Sequence, residues 1–223
     1  MRESQEQIFA DIPELRTVDR KDQSRVKSFV LRSTQMKKSQ IEAVKRYYGR
    51  YGVPYQANPI DLGVLFGNDK PVIVEIGFGM GTATFQIAQE RDQYNYLALE
   101  VFITGFAKLI KCVGEAELTN IRLMRFDAVA VLEDMIGDAQ VAGFHIFFPD
   151  PWPKKRHHKR RLIQTSFAQL LADKLRPGGY IYAVTDWLPY AEQMLAVFDS
   201  VATLQNPHNG FAPSVTWRPE TRF

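Results

Sequence analysis

The sequence contains very little cysteine: Cys112 is the only one in 223 residues. A single cysteine excludes an intrachain disulfide and a cysteine-based metal site, and it favours a reducing compartment. The apolar neighbours Leu109, Ile110 and Val113 indicate that this thiol is buried on a helix, and they argue against a reactive cysteine.

Long apolar segments are absent as well. No run approaches the roughly 18 residues that a membrane-spanning helix requires. Residues 1–7 contain no apolar stretch of the kind found in signal peptides. Internal repeats and low-complexity segments are also missing. The sequence therefore predicts a cytoplasmic protein with no membrane partner.

The net charge is only +3, but the basic residues are concentrated in two segments. Residues 16–50 contain eleven lysines and arginines against three acidic residues, and a second cluster extends from Lys154 to Arg161. A basic run is usually a solvated surface, but it can also provide the contacts that bind nucleic-acid phosphates.

The chain divides into two regions of different pattern. Residues 1–68 mix basic and polar residues with glycine and proline, which predicts a basic, partly flexible N-terminal arm with one or two short helices. Residues 69–223 alternate short apolar runs with amphipathic stretches. The runs predict strands at residues 72–76, 96–100, 121–126, 144–148 and 180–185, and the stretches predict helices at residues 83–91, 103–113, 129–136, 162–175 and 191–202.

This alternation predicts an α/β fold, with a mostly parallel sheet and helices on both faces. In such sheets, ligands bind beyond the carboxyl ends of the strands. Each predicted strand contains or precedes a carboxylate at that end, and the first also precedes a glycine cluster. In chain order, these carboxylates are Glu75, Glu100, Asp127, Asp150 and Asp186.

The first strand runs into a loop with glycines at Gly77, Gly79 and Gly81, which allow a backbone to approach a ligand closely. A plain strand-to-helix turn would also explain them. The spacing differs from the Gly-x-Gly-x-x-Gly of dinucleotide folds, and Glu75 would repel a pyrophosphate. The same carboxylate suits a cationic ligand that carries an ammonium and a sulfonium, which describes S-adenosylmethionine.

Glu100 and Asp127 extend this predicted cofactor site. Glu100 lies about twenty residues beyond the loop, where an acidic residue can accept hydrogen bonds from a ribose diol. Asp127 lies where an adenine amino group would be bound. The alternatives are an exposed strand-end carboxylate for Glu100 and a helix N-cap for Asp127.

The fourth strand ends at Asp150, which three prolines surround in a rigid turn. Trp152 could stack on a base or pack beneath this turn. The basic tract that follows contains His157 and His158, but no acidic or cysteine partner stands nearby, so we predict no metal site. Phosphate binding is the better explanation of the tract.

These segments closely resemble the bacterial tRNA (guanine-N7)-methyltransferase family, from about Arg25 to the end of the chain. The resemblance rests on FPDPWPKKRHHKRR at residues 148–161, VEIGFGMG at 74–81, TDW at 185–187 and RPETRF at 218–223. It implies a Rossmann-like class I methyltransferase fold that uses S-adenosylmethionine and releases S-adenosylhomocysteine. It also implies that the substrate is tRNA and the product 7-methylguanosine at position 46 of the variable loop.

The motif positions imply a role for each site residue. Asp150 is the implied catalytic residue and also contacts the cofactor. The other cofactor-binding residues are Glu75, Gly77, Gly79, Gly81, Glu100 and Asp127. The implied substrate contacts are Lys154, Asp186, Thr221, Arg222 and Phe223, and we predict RNA phosphate contacts at Arg32, Lys155, Arg156 and Arg160.

The chain departs from the family pattern at three places. Arg222 stands where the family usually has lysine, and Phe102 replaces a histidine often found there. The family continues beyond Phe223 with a glutamate and a further strand, so we expect the C-terminal strand to be truncated and the guanine pocket to be incomplete.

Guanine N7 carries a free lone pair, so no strong general base is required for this reaction. Asp150 would orient the guanine or the donor and offset the developing positive charge. Asp186 could accept from the guanine N1–H and exocyclic amine, with help from Thr221. We expect a monomer or homodimer without an obligate protein partner.

Three other functions are compatible with parts of the sequence. The Asp150 turn resembles turns that serve methylation of an exocyclic amine. The basic surfaces alone would suit a noncatalytic RNA-binding protein. A nicotinamide dehydrogenase is weakened by the glycine spacing and by Glu75.

Overall fold

The computed structural model describes residues 5–20, 26–31 and 35–220. Its N-terminal region contains α1 (Gln5–Asp11), a 3-10 helix (Pro13–Leu15), α2 (Lys38–Tyr51) and α3 (Leu62–Phe66). The remaining elements are β1 (Val72–Ile76), α4 (Thr82–Glu90), β2 (Asn95–Leu99), α5 (Ile103–Glu115), β3 (Ile121–Met124), α6 (Ala128–Asp134), β4 (Val141–Phe147), a second 3-10 helix (Lys155–Arg160), α7 (Thr165–Lys174), β5 (Leu175–Val184) and α8 (Leu188–Asp199).

Within the described residues, the strands form one five-stranded sheet in the order β3-β2-β1-β4-β5. Every pairing in it is parallel. The predicted parallel α/β architecture is therefore confirmed. Strand order reverses between β1 and β4, and in such sheets ligands bind at the carboxyl ends of the strands where the order reverses. The glycine loop and the Asp150 turn begin at these two strand ends.

Helices cover both faces of the sheet, as predicted. Val74 and Ile76 of β1 face a core shared with α3, α6, α7 and α8. Ile73 faces the opposite core, which is shared with α1, α2, α4 and α5. All five residues of β1 are buried, because a central parallel strand is covered on both sides.

Most predicted elements agree with the structure to within a few residues, but β5 begins earlier than predicted. It starts at Leu175, which pairs with Val141, and the register shifts before Gly143 pairs with Tyr180. The Pro177–Gly179 stretch between them is typical of a turn and hid this extension. The helix predicted at residues 162–175 begins only at Thr165.

The N-terminal region contains more regular structure than one or two short helices. The 14 residues of α2 place Ile41 and Val44 in the core that α5 shares. The chain then reaches the edge of the sheet, where the Val53 amide donates to the Leu123 carbonyl at 2.9 Å. These contacts attach the helical part of this region to β3.

Cys112 lies on α5, as predicted, but its side chain is only half-buried. No helix in the described ranges is long and apolar enough to cross a membrane.

Candidate active site

The loop after β1 forms an open cradle. Gly77, Gly79 and Gly81 have φ angles of 75°, 56° and 70°, a left-handed conformation that favours glycine. A Cβ atom added to Gly77 or Gly79 would meet no atom within 4 Å. One added to Gly81 would lie 2.7 Å from the Leu109 side chain. The first two glycines therefore border free space, and the third allows close packing against α5.

Glu75 lies buried beneath this cradle, with 2% of its surface exposed. Its Oε1 accepts a hydrogen bond from the Thr84 hydroxyl at 2.8 Å, and no described residue donates to Oε2. Burial raises the pKa of Glu75 to about 7, against the lowering effect of the Thr84 bond, and the charge of Glu100 adds to the rise. A buried carboxylate oxygen without a partner is costly. A cationic ligand would satisfy it, so these residues fit S-adenosylmethionine.

Glu100 joins the end of β2 to the glycine loop. Its Oε2 accepts from the Gly79 amide at 2.6 Å, and its Oε1 accepts from the amides of Val101 and Phe102 at 2.7 and 3.0 Å. Burial raises the pKa of Glu100, these bonds lower it, and the negative charge of Asp150 raises it further. The alternative of an exposed strand-end carboxylate is wrong, because only 9% of Glu100 is exposed.

Asp127 is the N-cap of α6, because its side chain accepts from the Val129 amide. The N-cap interpretation is therefore confirmed. The Asp127 amide donates to the Val18 carbonyl at 2.7 Å, and the half-buried Arg125 guanidinium donates to the Leu15 carbonyl. Burial lowers the pKa of Arg125 to about 10. Residues 15–18 thus lie across the end of β3, where the predicted cofactor site borders the N-terminal region.

The turn that carries Asp150 has an unusual backbone. Phe148 and Trp152 have φ angles of 50° and 43°, which are rare for bulky residues and store strain. Pro149 and Pro151 flank the aspartate directly. The Phe148 amide donates to the Val184 carbonyl at 2.7 Å, which holds the turn beside the end of β5. Asp150 itself is exposed to solvent.

Trp152 is half-buried and contacts two other segments of the protein, which favours the packing alternative for this residue. Its indole N–H donates to the Ser28 carbonyl at 3.2 Å, and the Arg160 guanidinium lies 4.1 Å from the ring centroid. The His157 ring meets it edge-on at 5.8 Å. One face of the indole is therefore occupied by an arginine.

The basic tract, Lys154–Arg161, contains both solvent-exposed side chains and side chains that contact the rest of the protein. Lys154, Lys155 and Arg156 are exposed. Arg160 donates to the carbonyls of Lys27 and Phe29, both at 3.3 Å, so part of its guanidinium holds residues 26–31. No group of three or more metal-ligating side chains was found in the described residues, here or elsewhere.

Asp186 is exposed, two residues beyond the end of β5. The Phe148 amide donates to the Val184 carbonyl, and Asp150 and Asp186 each lie two residues after this contact, beyond the ends of the neighbouring strands β4 and β5. Four predicted contacts lie outside the described residues: Arg32, Thr221, Arg222 and Phe223.

Gly105 and Arg161 also contribute to this site, although the sequence pattern did not indicate them. A Cβ atom on Gly105 of α5 would lie 1.8 Å from the Gly79 carbonyl oxygen, so only glycine lets the helix approach the loop. A glycine inside a helical pattern is the signal that could have revealed it. Arg161 is buried beside the Asp150 turn, and its position in a basic run concealed this.

Comparisons with known proteins place the chain among methyltransferases. A family model described as "Putative methyltransferase" matches residues 69–223. The chain is 50% identical over 198 residues to a tRNA (guanine-N(7)-)-methyltransferase of Neisseria meningitidis serogroup A, covering 89% of this chain and 83% of that protein. A protein with the same name from Bordetella pertussis is 46% identical over 198 residues, which cover 89% of this chain and 78% of that protein.

Proposed function

Because the chain belongs to the tRNA (guanine-N(7)-)-methyltransferase family, we propose that it transfers a methyl group from S-adenosylmethionine to N7 of a guanine in tRNA. One observation carries the proposal. The open glycine cradle and the Asp150 turn follow β1 and β4, the adjacent parallel strands between which strand order reverses. A ligand held in the cradle therefore lies beside the residue that would face the acceptor base.

The cofactor site of this proposal consists of Glu75, the glycine loop, Glu100, Asp127 and Asp150. When bound, S-adenosylmethionine supplies an electrophilic methyl group on a sulfonium. Glu75 offers its unpartnered oxygen to a positive charge. Gly77 and Gly79 leave room for the ligand against the backbone. Glu100 holds the loop in place and retains lone pairs for a hydroxyl donor.

Asp150 and Asp186 form the proposed guanine-facing pair. Guanine N7 attacks with its own lone pair, so the protein has to align the base and offset the charge that develops on it. The rigid Pro149-Asp150-Pro151 backbone suits alignment. Asp186 would accept hydrogen bonds from the guanine N1–H and exocyclic amine. It would so discriminate against adenine, which lacks an N1–H donor. Lys154 and residues 221–223 would complete this pocket.

Phosphate binding is proposed for Arg32, Lys155, Arg156 and Arg160. The exposed side chains Lys155 and Arg156 lie on the 3-10 helix that follows the Asp150 turn, so an RNA backbone bound there would bring its bases near the carboxylates. We place the methylated guanine at position 46 in the variable loop.

The test is methylation by the purified chain, with labelled S-adenosylmethionine and an unmodified tRNA transcript. Nucleoside mass spectrometry should find 7-methylguanosine, and chemical cleavage at that base should map it to position 46. A methylated exocyclic amine would support the alternative chemistry. Tight tRNA binding without methyl transfer would support a noncatalytic RNA-binding protein.

A pair of variants tests the catalytic role proposed for Asp150. Asp150→Asn should lose most of its turnover, whereas Asp199→Asn, an exposed change at the end of α8, should retain wild-type turnover. Equal turnover in the two variants would remove Asp150 from the reaction.

A further inference from the structure

Arg161 ends the basic tract but does not belong to its solvated surface. Only 4% of the residue is exposed. Its Nε donates to the Pro151 carbonyl at 2.8 Å, and its Nη1 donates to the Gln193 amide oxygen on α8. The guanidinium carbon also lies 4.8 Å from the centroid of the Tyr190 ring. One side chain therefore contacts both the residue after Asp150 and the helix after Asp186.

The α8 side of this contact is itself held firmly. The Gln193 amide nitrogen donates to the Ile163 carbonyl at 3.1 Å, and the Tyr190 hydroxyl accepts from the Ile163 amide at 3.0 Å. Gln193 and Tyr190 thus bind both backbone groups of the residue two positions after Arg161. The guanidinium cannot shift without breaking hydrogen bonds on both sides.

Burial of the Arg161 cation lowers the stability of the fold, so stability alone does not explain its position. Burial lowers the pKa of Arg161, no described carboxylate forms an ion pair with it, and no described acceptor meets its buried Nη2. A buried charge without a counter-ion is destabilising. Burial raises the pKa of Tyr190, against which Arg161 packs, and the positive charge of Arg161 lowers it.

The hydrogen bond to Pro151 acts on strained backbone. The Pro151 carbonyl belongs to the peptide that precedes Trp152, whose φ angle is 43°. Such a conformation persists only where the surroundings hold it. Arg161 holds it from within the protein, and the bond from the Trp152 indole to Ser28 holds it from the N-terminal region.

We propose that Arg161 is a positioning residue, which fixes the Asp150 turn against α8 so that Asp150 and Asp186 keep one spacing toward the guanine. This rests on the proposed function. Arg161 acts through Asp150 and through the start of α8, and it need not contact tRNA. Its planar fork makes two separate directed bonds, which a lysine ammonium in the same place cannot reproduce.

The first test is Arg161→Lys, which keeps the charge and removes the fork. We expect the single-turnover methylation rate to fall by about tenfold or more, with little change in the KM for tRNA, because misalignment affects the chemical step. The matched control is Arg176→Lys, an exposed change at the start of β5 that should leave both constants unchanged. Arg156→Gln should instead raise KM, because that side chain is proposed to bind phosphate.

The second test is a double-mutant cycle with Asp150→Asn. If Arg161 acts through Asp150, Arg161→Lys should lower the single-turnover rate far less in the Asp150→Asn background than in the wild type. An equal fold-loss in both backgrounds would overturn the proposal. So would a lowered Tm with an unchanged rate, since that describes a purely structural residue.

A third variant guards against poor folding of Arg161→Lys. Gln193→Ala leaves the guanidinium in place against Tyr190 and removes its hydrogen bond to α8. It should therefore also slow methyl transfer, and its effect should not add to that of Arg161→Lys. A full wild-type rate for Gln193→Ala contradicts the proposal. Failure of the proposed function itself would be seen in the wild-type chain, as absence of 7-methylguanosine.

Discussion

The carboxylate of Glu100 accepts the backbone N–H of Gly79 at 2.6 Å, so the end of β2 holds the loop that follows β1. The carbonyl of the same glycine faces Gly105 of α5, where a Cβ atom would lie 1.8 Å from its oxygen. Gly79 is therefore constrained on both sides of its peptide backbone. Its left-handed conformation results from this contact with two other elements, and the open cradle is prepared before any ligand arrives.

Replacing Glu100 with glutamine tests this constraint. The amide keeps the size of the side chain, but its NH2 group would face one of the N–H donors that the carboxylate now accepts. We expect Glu100→Gln to weaken S-adenosylhomocysteine binding by about 10- to 100-fold, because hydrogen bonds to a charged group contribute about 1.5–3 kcal/mol. Titration calorimetry measures this. Glu90→Gln, an exposed change on α4, is the control and should bind normally.

The pH dependence of cofactor binding tests Glu75. Its pKa is raised from 4.5 to about 7, so the unbound protein carries this carboxyl largely protonated below pH 7. A bound cation favours the ionised form, so binding must release that proton. Affinity should rise with pH up to about 7 and level off above it. Calorimetry in buffers of different ionisation enthalpy should detect proton release below pH 7, and Glu75→Gln should abolish it.

Glu75 should also limit the stability of the unbound protein. The unfolded carboxyl ionises near its ordinary pKa of 4.5 and the folded one near 7, so stability falls as pH rises between these values and is lowest above them. The cost is roughly 3 kcal/mol, at about 1.4 kcal/mol per pKa unit. Above pH 7, Glu75→Gln should therefore unfold at higher urea concentration than the wild type while binding cofactor more weakly. A less stable variant at that pH would contradict the burial argument.

The sheet could be predicted because its signal is local. Apolar runs such as residues 72–76 and 121–126 alternate with amphipathic stretches, and parallel α/β topology places the carboxyl ends of the strands at one edge. That rule predicts Glu75 and Glu100 beside the glycine loop, where the structure has them. The early start of β5 was missed because Pro177 and Gly178 are typical of a turn, and pairing with β4 overrides that local preference.

Burial of individual polar residues was harder to predict, because tertiary contacts decide it. Arg161 and Arg156 stand in one basic run, yet one is buried against α8 and the other is exposed. The sequence predicted for Trp152 either stacking on a base or packing beneath the turn. Its contacts in the structure are with Ser28, which is distant in sequence, and with Arg160, which follows the turn. A local sequence pattern does not reveal such contacts, because they join segments that are far apart along the chain.

Gly105 provides a steric test of the loop. Gly105→Ala would place a methyl group into the Gly79 carbonyl, so the loop or α5 must move. We expect weaker S-adenosylhomocysteine binding together with a lower Tm. Gly49→Ala is the matched control, because it lies on α2 with no atom within 4 Å of its Cβ position. That change should leave binding intact and stabilise the helix by up to about 1 kcal/mol. Normal binding by Gly105→Ala would show that the approach of α5 does not shape the cradle.

Salt dependence of tRNA binding tests the exposed part of the basic tract. Each phosphate contact contributes about 0.7–0.9 to the slope of log affinity against log salt concentration. Lys155→Gln and Arg156→Gln should each reduce the slope by about that amount, because both side chains are exposed beside the Asp150 turn. Arg176→Gln removes the same charge from the exposed start of β5 and should leave the slope unchanged. Equal reductions in all three variants would indicate a response to net charge alone, and the tract would then have no specific part in holding the RNA.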